Sequence, residues 1–187
     1  MTRGALAFAF LAVMSLAPLP AVAQGVVLAK SEIRFVSKQM GVDVEGRFRK
    51  FTADVDWKPQ DLAHSRAAFA IELASIDLAS EEAEGEVRRP GWFDTAKFPV
   101  ATFTSTAIRA TGPDRYEIAG TLAIKGATRD VVVPVAMRKD AAGVSVAEGQ
   151  FVLKRLAFRI GDGPWADPSV VADDVLVRVR MTLAGAP

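Results

Sequence analysis

The chain has 187 residues, half of them hydrophobic, with 23 Lys and Arg against 22 Asp and Glu. That balance argues against the concentrated basic charge of nucleic-acid binders and against adhesion to anionic membranes through bulk charge. The lack of cysteine excludes thiol catalysis, disulfides and thiolate metal sites.

Residues 1–23 read as an export signal. Arg3 supplies the positive start, the run from Ala5 to Ala17 is apolar, and Pro18 and Pro20 break any helix. Ala21-Val22-Ala23 is then a small-x-small cleavage site. The apolar run is shorter than the roughly 20 residues of a membrane span. Cleavage removes Arg3 and leaves 22 Lys and Arg against 22 Asp and Glu in residues 24–187. That length suits one domain, expected in the periplasm.

Alternation of period two dominates residues 24–187. In chain order the apolar rows are Ile33-Phe35-Ser37, Phe51-Ala53-Val55-Trp57 and Ala67-Phe69-Ile71-Leu73. After them come Tyr116-Ile118-Gly120-Leu122-Ile124, Val131-Val133-Val135-Met137, Ala147-Gly149-Phe151-Leu153 and Val175-Val177-Val179-Met181-Leu183. Each row places one face inward and the other in water. Phe48 and Phe51 have opposite parity, so Arg49-Lys50 marks a bulge or corner. Ser80 before Glu81, Glu82 and Ala83 reads as the cap of one short helix, stopped by Pro90-Gly91. Lys125 to Thr128 and Asp140 to Gly143 read as turns between paired strands.

About eight strands and one short helix predict an all-β antiparallel barrel, since closure removes exposed sheet edges. A barrel of that size is either filled by side chains or holds one small ligand. Small inward residues such as Ala53, Gly120 and Gly149 leave room, or they interlock with the large ones.

Catalytic signatures are missing. There is no G-x-S-x-G, no phosphate-binding loop and no dinucleotide fingerprint. His64 is the single histidine and sits in a polar connector, so neither a triad nor a histidine metal site has its parts. Asp162, Asp167, Asp173 and Asp174 lack the ligand order of a calcium loop and read as turns and strand ends. No enzyme and no metal are expected. Three basic clusters stand out: Arg47, Arg49 and Lys50 near one corner; Arg88 and Arg89 beside Trp92 and Phe93; Lys154, Arg155 and Arg159 around Phe158. Each either holds an anionic or quinone head group at a barrel mouth or is a solvated surface charge.

A longer pattern runs through the chain. It comprises Ser31-x-Ile33-x-Phe35, Gly46-Arg47-Phe48-x-x-Phe51, and Trp92-Phe93-Asp94-Thr95-Ala96-Lys97-Phe98-Pro99-x-Ala101-x-Phe103-x-Ser105. Gly120-Thr121-Leu122-x-Ile124-Lys125-Gly126-x-Thr128 and Arg155-x-x-Phe158-x-Ile160-Gly161 complete it. In this order the motifs resemble the YceI-like lipid- and polyisoprenoid-binding family. The resemblance implies a lipocalin-like barrel with an elongated apolar tunnel, periplasmic export and an isoprenoid ligand, with a quinone or diphosphate head as a further option. It also points to a membrane cytochrome b as a partner, and leaves a homodimer open. A second reading is a filled barrel that acts on such a redox partner through its surface. Family members often carry an Arg-Asp-x-His-Leu-like segment where this chain has Glu86-Val87-Arg88-Arg89-Pro90-Gly91, which bears on the head-group preference.

The rows nominate Phe35, Phe69, Ile71, Phe103, Leu122, Ile124 and Phe151 as the tunnel lining. Trp92, Phe93 and Phe158, with Arg88 and Arg89, are the expected mouth residues. The stretch from Ser80 to Phe98 reads as a loosely held connector that either closes as a lid or plugs one end.

Overall fold

The computed structural model describes residues 25–142 and 144–185. The expected signal segment and Gly143 of the second turn lie outside the described residues. Eleven strands form one antiparallel sheet. They are β1 (Gly25–Val26), β2 (Glu32–Gln39), β3 (Val42–Phe48), β4 (Phe51–Asp56), β5 (Arg66–Glu72) and β6 (Ile76–Asp77). The one α-helix among the described residues, α1 (Glu81–Val87), precedes β7 (Val100–Gly112), β8 (Arg115–Ile124), β9 (Ala127–Lys139), β10 (Ser145–Lys154) and β11 (Asp174–Ala184). The count exceeds the expected eight. Two of the extra strands, β1 and β6, have only two residues each.

The order β4-β5-β7-β8-β9-β10-β11-β2-β3-β6 places β3 and β4, neighbours in the chain, near opposite ends of the sheet. Arg49-Lys50 is therefore a corner where the chain leaves one edge and starts the other. No β3–β4 ladder forms. The seam is bridged instead by Ser75: its carbonyl accepts from Arg49 N at 3.0 Å and its hydroxyl accepts from Lys50 N at 3.0 Å. Lys50 returns a carbonyl to Glu72 N, and β6 then pairs with β3 through Arg47–Asp77 and Phe48–Ile76. At this corner the 72–77 segment satisfies the backbone groups that a β3–β4 ladder would have paired.

Alternation is clearest on β9. On β9, Val131, Val133, Val135 and Met137 face inward while Val132, Pro134, Ala136 and Arg138 are exposed. The β8–β9 turn is Lys125-Gly126, with φ of +48° and +74°, a pairing of left-handed residues that matches strand twist. At the far end of the barrel Trp57 is buried and meets Tyr116 edge to face, centroids 4.6 Å apart. An edge-to-face meeting of two rings is a favoured aromatic contact. At the opposite end lie α1, the 155–172 loop and the β2–β3 hairpin.

Candidate ligand-binding cavity

Helix α1 starts as the sequence predicts, with Ala83 N donating to the Ser80 hydroxyl at 3.4 Å. Its Glu84 is buried: the carboxylate accepts from Leu78 N at 3.2 Å and from Arg88 Nη2 at 2.9 Å. Arg49 from the seam stands 3.6 Å away. The following segment is not the loose connector expected. Phe93 N donates to Val87 O, Asp94 N to Arg89 O, Thr95 N to Arg88 O and Phe98 N to Asp94 O. Asp162 N adds a bond to Gly91 O, tying the segment to the neighbouring loop. The segment thus covers this end of the barrel with much of its backbone paired.

Arg155 anchors that loop. It is 1% exposed, and its five N–H groups reach five carbonyls. Nε donates to Ala172 O, Nη1 to Ile160 O and Gly161 O, and Nη2 to Trp165 O and Val171 O, at 2.6–3.0 Å. Burial pushes its pKa below the usual guanidinium range, and the Asp173 carboxylate opposes that shift. A guanidinium fork suits this task because its donors lie in one fixed plane. The Trp92 ring sits 5.9 Å from the Arg155 guanidinium carbon and 5.6 Å from the Trp165 ring. The Nε1 of Trp92 and the Nε of Arg88 are buried without a hydrogen-bond partner.

Beneath this cover is an apolar cavity of about 630 Å³. Phe35, Ile71, Trp92, Phe93, Leu122, Ile124 and Phe151 line it, with Arg89 among its lining residues. A smaller chamber of about 140 Å³ continues toward Trp57 and is lined by Phe69 and Phe103. Ile33, Ile71, Leu122, Phe151 and Val177 border both chambers and form a waist between them. Ser37, Gln39, Ser80, Glu82, Glu86 and Arg89 supply polar groups to the larger chamber.

Two expected residues are not on these walls. Arg88 turns to Glu84 in an ion pair of 2.9 Å, because a buried carboxylate needs a counter-charge. Phe158 is 3% exposed and packs in the core under the 155–158 turn, since that turn directs it inward. Sequence reasoning also missed contributors: Leu73, Ile76 and Leu78, from the crossing between β5 and α1, and Ile160 and Val171 from the Arg155 loop. Leu73 closes the alternating row of β5, and the other four lie in segments without alternation. The one signal in the sequence was that apolar residues in irregular segments must be buried somewhere.

His64 remains an exposed turn residue, its Nδ1 2.7 Å from the Asp61 carboxylate. Among the described residues no three metal-ligating side chains cluster. No described helix is long and apolar enough to cross a membrane.

A curled antiparallel sheet with an apolar interior, a helical cover and an aromatic far end defines a lipocalin-like β-barrel. The chain belongs to the family of the YceI-like domain, whose model matches residues 26–183. Curated relatives include a UPF0312 protein of Vibrio cholerae, 28% identical over 106 residues, 56% of each chain. One from Photorhabdus laumondii is 28% identical over 127 residues, covering 64% of this chain and 65% of its own. The chain spans little more than half the length of the first of these. Among solved structures, BcnA of Burkholderia cenocepacia is 40% identical, with a TM-score of 0.80 over 85% of this chain and 99% of its own. A polyisoprenoid binding domain from Saccharophagus degradans shares the fold at 17% identity and TM-score 0.69, covering 86% of this chain and 97% of its own.

Proposed function

We propose that this protein is a non-catalytic carrier that encloses one long apolar tail of isoprenoid type. The carrying observation is the 630 Å³ apolar cavity, which shares five wall residues with a second apolar chamber. Pockets of roughly 300–1,000 Å³ with this composition are the usual small-molecule sites. A methylene is similar in size to a water molecule, which occupies about 30 Å³ in the liquid, so the larger chamber takes roughly twenty carbons. At about 0.8 kcal/mol per methylene their burial contributes on the order of 15 kcal/mol gross. Association costs of about 4–15 kcal/mol oppose it, so the tail can supply most of the affinity. A quinone or diphosphate head would meet Arg89 and the Gln39 and Ser37 polar groups. The polyisoprenoid binding ascribed to the Saccharophagus domain supports the same ligand class. Export to the periplasm after cleavage behind Ala23 is part of this proposal.

Mass spectrometry of the organic extract of purified protein tests the reading. A stoichiometric isoprenoid is the expected result. An extract without one, together with no uptake of added geranylgeraniol, overturns it.

A further inference from the structure

The tip of the β2–β3 hairpin carries an apolar feature that core packing does not use. Met40 is 73% exposed and Val42 67%, the highest values among the exposed large hydrophobics described. Both sit beside the cavity. Ser37 pairs with Val44 and Gln39 with Val42, and Ser37, Gln39 and Val44 line the larger chamber. Val42 shares the parity of Val44, so it carries the apolar wall past the cavity's edge.

The turn itself is poorly served by its residue. Met40 adopts φ +48° ahead of Gly41 at +81°. Asparagine, aspartate and glycine take that left-handed conformation far more readily. The other described non-glycine residues with positive φ are Asp94, Asp114, Lys125 and Arg159, all polar. Met40 alone is apolar, and it points its long flexible side chain into solvent. The tip is also firmly held: Met40 N donates to Val170 O and Ala172 N to Lys38 O, both at 2.8 Å.

We propose that Met40 and Val42 form a bilayer-contacting finger that sets the cavity entrance against a lipid surface. A tail then passes from membrane to cavity without crossing water, which makes this inference rest on the tail-binding reading above. Nearby charge is not net basic, with Glu82 at the cavity and Asp167 in the loop that holds the tip. Lys38 faces Asp43 at 3.6 Å, and Arg89 faces Glu86 at 3.1 Å. Contact is therefore by shallow apolar insertion, favouring a zwitterionic membrane and changing little with salt.

The test adds an indole at the tip with Met40→Trp and uses vesicles of brominated phosphatidylcholine as quencher. The added emission should be quenched well beyond that of the wild-type protein, equally at low and high salt. No extra quenching overturns the proposal. So does a concentration-dependent dimer in sedimentation that Met40→Asn dissolves, because the tip would then meet a second copy. A paired variant, Met40→Asn with Val42→Thr, suits the turn and strand better than the native residues and so keeps the fold. Its uptake of dansyl-geranylgeraniol from phosphatidylcholine vesicles should slow at least five-fold, with affinity for probe added from solution within two-fold. Equal uptake rates overturn the finger. If neither protein binds the probe from solution, the tail reading fails, and the quenching measurement still decides the finger.

Discussion

The ring of Phe35 lies over Gly46, its direct partner on the neighbouring strand, and fills the space a Cβ there would need. Phe103 does the same over Gly120, one step off its own ladder partner Leu122. Laid against the wall in this way, large rings leave the lumen open. Small inward residues thus interlock and make room together, two effects that alternation alone cannot separate. Gly46→Ala should push the Phe35 ring into the cavity. Overpacking of this kind costs about 1–3 kcal/mol, and affinity for geranylgeraniol should fall with it. Fluorescent displacement and urea unfolding on the same variant measure both; retained affinity would place the ring elsewhere.

Arg155 offers a stability test. Arg155→Met keeps the length of the side chain but strands five carbonyls that now accept from it. Unsatisfied buried acceptors cost about 1–3 kcal/mol each when no water reaches them. A loss of at least about 3 kcal/mol in urea unfolding is expected on that scale. Arg155→Lys should recover only part, because three donors replace a planar five. A near-neutral Arg155→Met would mean that the 155–172 loop is held by other contacts.

The sequence made strands with one unbroken inward row legible, as on β9 and β11, where valines repeat every second position. It showed β7 only in part, through Phe103, because a register shift between Ser105 and Ala107 moves the inward row from Ala101 and Phe103 to Ile108. The cavity walls on β2, β8 and β10 followed from parity. Arg88, Arg89 and Arg155 did not, since a cation beside an aromatic reads alike in solvent, in a cavity or in a cage of carbonyls. Only the distant chain segments distinguish them: Glu84 claims Arg88, and carbonyls as far along as Ala172 claim Arg155.

Acid should loosen the seam. The Asp77 carboxylate accepts from Arg47 Nε and Arg49 Nη2, each at 2.6 Å, and these bonds hold its pKa below the ordinary 3.8. A carboxylate with a depressed folded pKa contributes stability above its unfolded pKa and loses it as pH falls through the folded one. Asp77→Asn should therefore lower the melting temperature by a constant amount between about pH 7 and pH 5, with the gap to wild type shrinking below about pH 4. Parallel thermal melts across that range check the sign. A gap that widens in acid would mean the pair is not formed in solution.

The waist between the two chambers should set how long a tail the barrel favours. The larger chamber takes roughly twenty carbons, about four isoprene units, by the packing volume of small groups. A fifth unit must pass between Ile33, Ile71, Leu122, Phe151 and Val177 to enter the 140 Å³ chamber. Ile33, Ile71 and Leu122 are buried core residues and yield little, whereas Phe151 is only half-buried. Affinity for all-trans prenols should climb steeply from three units to four and then flatten. Phe151→Leu removes ring volume, a large-to-small change in a half-buried wall that costs about 1–3 kcal/mol of stability. In that variant the plateau should move to longer prenols, because the inner chamber becomes reachable, while three-unit prenols bind much as before. Isothermal titration with prenols of three to six units reads the shift directly. A plateau at the same length in both proteins would mean that the tail ends in the larger chamber for reasons other than the waist.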